Sequence, residues 1–132
     1  MITLTYAGTT KVLPLHILWP DEFLYSPVVS EQRFGTTGRQ FLHTGVRQAG
    51  RPITLDGRTA KAWMHRADID VFQAWSEIPG ATFDLVLRGK TYKVTFDSTR
   101  PPAFEAIPMW NVSDEEHNDE MRYFPFFRFL EV

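Results

Sequence analysis

The sequence predicts a mainly β fold, a split β-barrel or β-sandwich-like sheet with one amphipathic α-helix (about residues 68–78) packed on it. Helical periodicity is confined to that one segment. Most other segments alternate apolar and polar residues with the period of two that is typical of strands. The length of 132 residues suits one domain, and no repeat or linker divides it, so we expect a single barrel-like domain over residues 1–132.

Composition excludes several classes of protein. The chain has no cysteine, which excludes a disulfide framework and a zinc site with thiolate ligands. No apolar run approaches the length of a membrane span, and residues 1–15 lack the pattern of a secretory signal. A formal net charge of −2 argues against general binding of nucleic acid. The aromatic content of 14% predicts burial of aromatic rings in a core, in a subunit interface or in both.

The predicted helix has one apolar face and two defined ends. Asp68 is the predicted N-cap, because its carboxylate can accept a hydrogen bond from a free N–H of the first turn. Pro79 and Gly80 are predicted to end the helix, since proline lacks the N–H that the next helical bond requires. The apolar face, which needs an apolar sheet to cover, consists of Ile69, Val71, Phe72, Trp75 and Ile78.

The first extended segments lie before residue 23. Ile2–Tyr6 alternates apolar residues with threonine and predicts a strand that ends at Gly8. Residues 12–19 are apolar and predicted to be extended, and Pro14 within them indicates an edge strand or a bend. A turn is expected at residues 19–22.

Two hairpins are predicted between this turn and the helix. Residues 28–44 form the first, with a polar face, and a loop over residues 45–50 follows it. Residues 51–55 and 59–65 form the second, because Asp56-Gly57 is a strong two-residue turn signal.

After the helix, the pattern predicts two further strand pairs. Residues 82–87 and 92–96 alternate around a short turn and form the clearest hairpin in the chain. Residues 104–112 and 121–132 form the last pair, with residues 113–120 between them.

Residues 113–120 are strongly acidic, and three interpretations apply. Their spacing lacks the glycine and the ligand positions of a calcium loop, which argues against a metal site. Charge runs usually form solvated surface, so one interpretation is the exposed tip of a long hairpin. Another is a negative patch that repels DNA phosphates or meets a basic partner. The titratable side chains are Asp114, Glu115, Glu116, His117, Asp119 and Glu120.

No motif of a catalytic site is present in the sequence. The four histidines lie on four separate segments without metal-ligand spacing, and no serine stands in a G-x-S-x-G pattern. The segment GTTG at residues 35–38 lacks the length and the lysine of a phosphate-binding loop. We therefore expect no enzymatic activity, no metal site and no cofactor.

The aromatic strand near residue 127 has two apolar faces, which indicates that both faces are covered. One cover is expected to be the helix, and the other is hypothesised to be a neighbouring subunit. The two faces are Phe124, Phe126 and Arg128 on one side, and Tyr123, Pro125, Phe127 and Phe129 on the other.

Arginines make the first half of the chain locally basic. Few aromatic residues lie among them, unlike in a nucleic-acid platform. We interpret them as solvated positions and as inter-subunit partners of carboxylates such as those at residues 113–120. They are Arg33, Arg39, Arg47, Arg51, Arg58 and Arg66.

The middle of the chain, about residues 48–109, carries a resemblance to a known family. Its strand Gly50-Arg51-Pro52-Ile53-Thr54-Leu55-Asp56-Gly57 is followed by Trp63, the helix, residues 83–87, the Gly89 turn, residues 92–96 and residues 104–108. This order resembles the distal tail protein and minor tail protein family of long-tailed phages. In that family a G-x-x-I-x-L strand precedes a short helix, and a hairpin with a Y-x-V-x-F strand follows.

The resemblance implies a structural subunit of a phage or prophage tail tip, in a homo-oligomeric ring (hexamer or trimer) that joins the tail tube to the hub or baseplate. The implied partners are further copies, the tail tube protein and the tail hub proteins, with genomic DNA only passing through the channel and no membrane insertion. The implied location is the virion tail, assembled in the host cytoplasm. The acidic segment 113–120 departs from the family pattern, and a carbohydrate-binding or second galectin-like domain is missing.

Specific residues are assigned to this assembly. We predict that Asp114, Glu115, Glu116, Asp119 and Glu120 face the channel, where their charge would keep DNA from adhering. The predicted subunit contacts are Arg33, Phe34, Arg39, Phe41, Phe127 and Phe129.

Two other functions stay open on the residues alone. A small open barrel lined by aromatic side chains can hold a flavin-like or other apolar ligand. An enzyme that uses His65 or His117 with nearby carboxylates is the third hypothesis, and only composition supports it.

Overall fold

A computed structural model of the chain describes residues 1–46 and 50–132. Its main part is a curled, half-barrel sheet with one helix, which confirms the predicted fold class. Arg47 and part of the predicted loop over residues 45–50 lie outside the described residues. The elements are β1 Ile2–Tyr6, β2 Thr9–Leu13, β3 Val28–Phe34, β4 Gln40–Val46, β5 Pro52–Asp56, β6 Met64–His65, α1 Arg66–Ser76, β7 Phe83–Leu87, β8 Lys90–Phe96, β9 Phe104–Pro108, a short 3-10 helix Asp114–Glu116, and β10 Arg122–Glu131.

The strands form two separate antiparallel sheets. The larger one, here called the body together with α1, has the order β2-β1-β7-β8-β10-β5, and β6 and β9 also pair with β10. The smaller one contains β3 and β4 alone and is here called the arm. The prediction that residues 12–19 are extended is wrong beyond Leu13, where β2, an outer strand of the body, ends just before Pro14.

Strand β10 hydrogen-bonds along both edges. On one edge it pairs with β5 and β6, and on the other with β8 and β9. Phe127 therefore lies opposite Leu55 on one side and Phe104 on the other. A strand with partners on both edges buries its backbone polar groups in the ladder, so β10 is the central strand of the body.

Aromatic rings fill the space between α1 and the sheet. Phe72 of α1 meets Phe127 of β10 with ring centroids 5.2 Å apart and planes at 90°. Trp75 packs on Phe83 at 5.7 Å, and Phe127 stacks on Phe129 at 5.6 Å. The alternation predicted for β10 is confirmed, since Tyr123, Pro125, Phe127 and Phe129 are buried on the helix side.

The helix begins and ends two residues earlier than predicted. Its N-cap is His65, which makes no side-chain capping bond, so the assignment of Asp68 as N-cap is wrong. The first N–H groups are satisfied from elsewhere, because Arg66 N donates to the carbonyl of Met121 at 2.9 Å. Asp68 lies in the first turn, 3.6 Å from Nζ of Lys11. Ile78 lies beyond the helix end.

The predicted pairing of residues 51–55 with residues 59–65 is also wrong. Strand β5 pairs with β10, and only Met64 and His65 of the second segment form a strand, again on β10. The N–H of Gly57 donates to the carbonyl of Pro125 at 2.8 Å. A Cβ at Gly57 would lie 2.5 Å from that oxygen, so only glycine lets the backbone at residue 57 come this close to β10.

The hairpin β7–β8 and the first strand are confirmed. The turn of β7–β8 has positive φ at Arg88 and Gly89, and the turn of β1–β2 has it at Ala7 and Gly8. Two successive residues with positive φ match the right-handed twist of a two-residue hairpin. The hairpin at residues 28–44 is confirmed as well and extends to Val46.

Asp97, the residue directly after β8 in the chain, has a buried carboxylate. Its carboxylate accepts hydrogen bonds from the Thr99 N–H at 3.0 Å and from Nε of Arg100 at 2.8 Å. Burial opposes ionisation of Asp97, but hydrogen bonds from Thr99 and Arg100 outweigh it, so the pKa of Asp97 lies below its ordinary value.

We expect Phe127→Ala to lower the free energy of unfolding by about 3–5 kcal/mol, because it leaves a cavity between α1 and the sheet. Phe124→Ala is the matched control on the other, half-buried face of the same strand, and a clearly smaller loss is expected there. Urea denaturation followed by circular dichroism measures both. Equal losses would contradict the packing described for Phe127.

We expect Asp97→Asn to lower stability at pH 7 by about 1–3 kcal/mol, since hydrogen bonds to a charged acceptor are lost. A lowered folded-state pKa stabilises the fold above the unfolded-state pKa of about 3.9, and this contribution disappears as pH falls through the lower folded value. The gap between wild type and variant should therefore close in acid. Asp84→Asn, at an exposed carboxylate, is the control, and a gap that persists in acid would contradict the role of Asp97.

Candidate assembly interface

The arm is exposed along its whole length. Every residue of β3 and β4 is exposed, including Phe34 at 69% and Leu42 at 61%. A two-stranded hairpin with no core to cover is marginally stable in water, and its large apolar side chains gain no burial. The arm is therefore a surface that another molecule can cover.

The two faces of the arm differ in charge. Residues opposite each other in an antiparallel pair share a face, and one face holds only uncharged side chains. These are Val28, Ser30, Gln32, Phe34, Gln40, Leu42, Thr44 and Val46. The other face carries Glu31, Arg33, Phe41 and His43, with an ion pair of 2.9 Å between Arg33 and Glu31.

The tip of the arm presents a basic and an aromatic group together. Gly35 N donates to the carbonyl of Arg39 at 2.7 Å, which closes the turn between β3 and β4. The guanidinium of Arg39 lies 5.7 Å from the centroid of the Phe41 ring. Arg39 forms no ion pair with any residue in the ranges 1–46 and 50–132. Its charge is available to a partner.

The segment that precedes the arm is hydrogen-bonded to β5, the edge strand of the body. Leu18 forms an antiparallel bridge with Asp56, with N–O distances of 3.0 and 2.8 Å. A few residues later the carboxylate of Asp21 accepts the N–H of Thr54 at 3.0 Å. The chain therefore enters the arm from a defined position.

An aromatic and basic cluster, here called the root cluster, lies at the same place and consists of Trp19, Glu22, Arg51 and Arg88. The indole of Trp19 is buried, and the guanidinium groups of Arg51 and Arg88 lie 5.1 and 5.3 Å from its centroid. Arg51 also donates to the carbonyl of Glu22 at 2.7 Å, and Arg88 pairs with the Glu22 carboxylate at 2.8 Å. No local pattern predicts this cluster, because its members come from three distant segments.

The acidic segment 113–120 forms a short exposed connection between β9 and β10. All five of its carboxylates are exposed, as predicted for a solvated tip, and no described residue forms an ion pair with them. Beside it lies an open surface pocket of about 360 Å³, here called the Trp110 pocket. Its apolar lining is Trp110, Val112 and Met121, and its charged lining is Glu116, Glu120 and Arg122.

Hydrogen bonds tie this connection to the body. The hydroxyl of Tyr123 shares a hydrogen bond of 2.8 Å with Nδ1 of His117 and accepts another of 2.7 Å from Arg66. Nδ1 of His65 lies 3.0 Å from the carbonyl oxygen of Glu120. His65 and His117 thus take part in structural bonds that position the Trp110 pocket.

The predicted contact residues divide into two groups. Arg33, Phe34, Arg39 and Phe41 all lie exposed on the arm. The prediction that Phe127 and Phe129 contact a neighbouring subunit is wrong, because both are fully buried under α1 and against the sheet. These two residues do lie on an apolar face of β10, as predicted, but α1 covers that face.

The described arginines of the first half, which exclude Arg47, do not form one patch. Arg51 belongs to the root cluster, Arg58 lies 4.7 Å from the Phe126 ring centroid, and Arg66 bonds to Tyr123. They pack on aromatic rings of their own body, and this accounts for them without nucleic acid.

Other kinds of site were sought in the described part of the chain. Residues 1–46 and 50–132 hold no cluster of three His, Asp or Glu side chains arranged for a metal ion. No described helix is both long and apolar enough to cross a bilayer. The aromatic rings that raised the hypothesis of a ligand-binding barrel pack on one another in the core, as Phe83, Phe96 and Phe129 do at centroid distances of 5.1 and 4.9 Å.

Comparison with known proteins adds no family to these observations. No protein-family model, no curated protein and no solved structure gives a significant match to this chain.

Proposed function

We propose that this chain is a structural ring subunit of a phage or prophage tail tip, which joins the tail tube to the hub or baseplate. The observation that carries the proposal is the arm, a hairpin exposed on both faces that extends from a body with a filled core. The pattern of residues 48–109 supplies the class of assembly, since it resembles the distal tail and minor tail proteins.

The proposed mechanism is geometric. A contact between an arm and a different surface of the next copy is heterologous, and such contacts form a closed ring when the rotation between copies closes. With seven residues per strand at about 3.3 Å each, the arm reaches roughly 20 Å along its axis, enough to overlap a neighbour. The cluster of Trp19, Arg51 and Arg88 holds the chain to the body shortly before the arm begins.

The uncharged face of the arm is the proposed contact with the body of the next copy. Burying Phe34, Leu42 and Val46 there removes apolar surface from water at about 25 cal/mol per Å².

We expect the double variant Phe34→Ser/Leu42→Ser to be a folded monomer where the wild type forms a trimer or hexamer, because the uncharged face loses its two largest apolar groups. Native mass spectrometry and negative-stain images measure the assembly. Val12→Ser, at an exposed apolar residue of the body, is the control and should assemble like the wild type. A wild type that stays monomeric, or a double variant that still forms the ring, would contradict the proposal.

A channel-facing position of the acidic segment is part of the proposal. We expect Asp114→Asn/Glu115→Gln/Asp119→Asn, which spares the Trp110 pocket, to raise the affinity of the assembled ring for double-stranded DNA severalfold, since fewer negative charges repel the phosphates. Electrophoretic mobility shift at low salt measures this affinity. The matched control is Asp70→Asn/Glu77→Gln/Asp84→Asn, three exposed carboxylates elsewhere on the body. Equal effects of both triples would remove the channel assignment.

A further inference from the structure

The Trp110 pocket and the tip of the arm have complementary properties within one chain. Residues 113–120 carry five carboxylates and, with His117 neutral, a formal charge of −5. The arm, residues 28–46, carries Arg33, Arg39 and Glu31, hence +1 with His43 neutral. Opposite charge on two exposed surfaces steers their encounter and fixes their register.

The two carboxylates of the pocket form no ion pair with its own basic residue. Arg122 is the basic residue in its lining, but the guanidinium lies 4.3 Å from the centroid of the Trp63 ring. Glu116 and Glu120 form no ion pair within the described ranges. A basic group from outside the body would therefore meet two carboxylates beside an apolar surface.

The side chains of the two surfaces are chemically complementary. The pocket of about 360 Å³ is open and has the half-exposed indole of Trp110 as part of its lining. The tip carries a phenyl ring next to a guanidinium, Phe41 with Arg39. An aromatic ring can pack on Trp110, Val112 and Met121 while the arginine meets the carboxylates, as aromatic and arginine anchors do at protein interfaces.

We propose that the arm tip of one copy occupies the Trp110 pocket of a second copy, with Phe41 on Trp110 and Arg39 between Glu116 and Glu120. The proposal rests on the proposed ring and names the surface that receives the arm tip. Phe41 lies on the charged face of the arm, so this contact is separate from the one proposed for the uncharged face. It assigns Glu116 and Glu120 to the subunit contact, and it leaves Asp114, Glu115 and Asp119 for the channel. The contact is heterologous, so each copy both gives an arm and receives one.

Site-directed cross-linking of the full chain tests this placement, because the natural sequence has no cysteine. One sample carries Thr37→Cys at the arm tip, and a second, size-tagged sample carries Glu115→Cys beside the pocket. The control partner is Lys90→Cys, an exposed position at the turn of β7 and β8. With a short bis-maleimide, we expect the 37–115 product to exceed the 37–90 product severalfold.

Charge reversal adds a specific readout. Arg39→Glu in the arm-giving chain should abolish the 37–115 product, and Glu116→Arg/Glu120→Arg in the receiving chain should restore it. Similar yields at positions 115 and 90, no product at either, or a product that does not respond to Arg39→Glu would each overturn the proposal. If the native mass shows a ring while the 37–115 preference is absent, only the pocket assignment fails. If no assembly forms either, the proposed function fails with it.

Discussion

Strand β10 hydrogen-bonds along both of its edges and pairs with four strands of the body, three of which have no other partner among the named strands of the described ranges. Its inward side chains, Phe127 and Phe129, are fully buried and meet α1 and the strands on either side. Its backbone also holds Gly57 so closely that a Cβ there has no room. The position of the helix follows from the same strand, since the carbonyl of Met121, just before β10, binds the first N–H of α1.

The arm differs from the body in the exposure of its apolar side chains. In the body, apolar groups are covered by the chain itself, whereas on the arm Val28, Phe34, Leu42 and Val46 stay exposed. Contiguous exposed apolar patches often mark contact sites, and in the proposed ring this one is covered by the next copy. The root cluster around Trp19 lies at the junction of the two parts and holds the chain to the body shortly before β3 begins.

Local sequence patterns predicted most strands correctly but did not predict all of the pairings between them. The alternation in residues 82–96 and 123–129 predicted strands correctly, because it records which side chains face the core. Asp56-Gly57 looked like a hairpin turn, yet the backbone partner of Gly57 is Pro125, which lies far along the chain. Two apolar faces on β10 could not reveal which one the helix covers, so Phe127 and Phe129 were misassigned. The contacts around Trp19 join distant segments and leave no local trace, whereas the lining of the Trp110 pocket comes from one segment that includes the acidic residues.

The late place of β10 in the chain has a consequence for synthesis. The hairpins β1–β2, β3–β4 and β7–β8 join neighbouring segments and can form as soon as each leaves the ribosome, on the microsecond scale. Strands β5, β6 and β9 pair with β10 alone among named strands in the described ranges, so they must wait until residues 122–131 emerge. Until then their edges and the aromatic face of α1 are uncovered, which makes the nascent chain a natural client for chaperones.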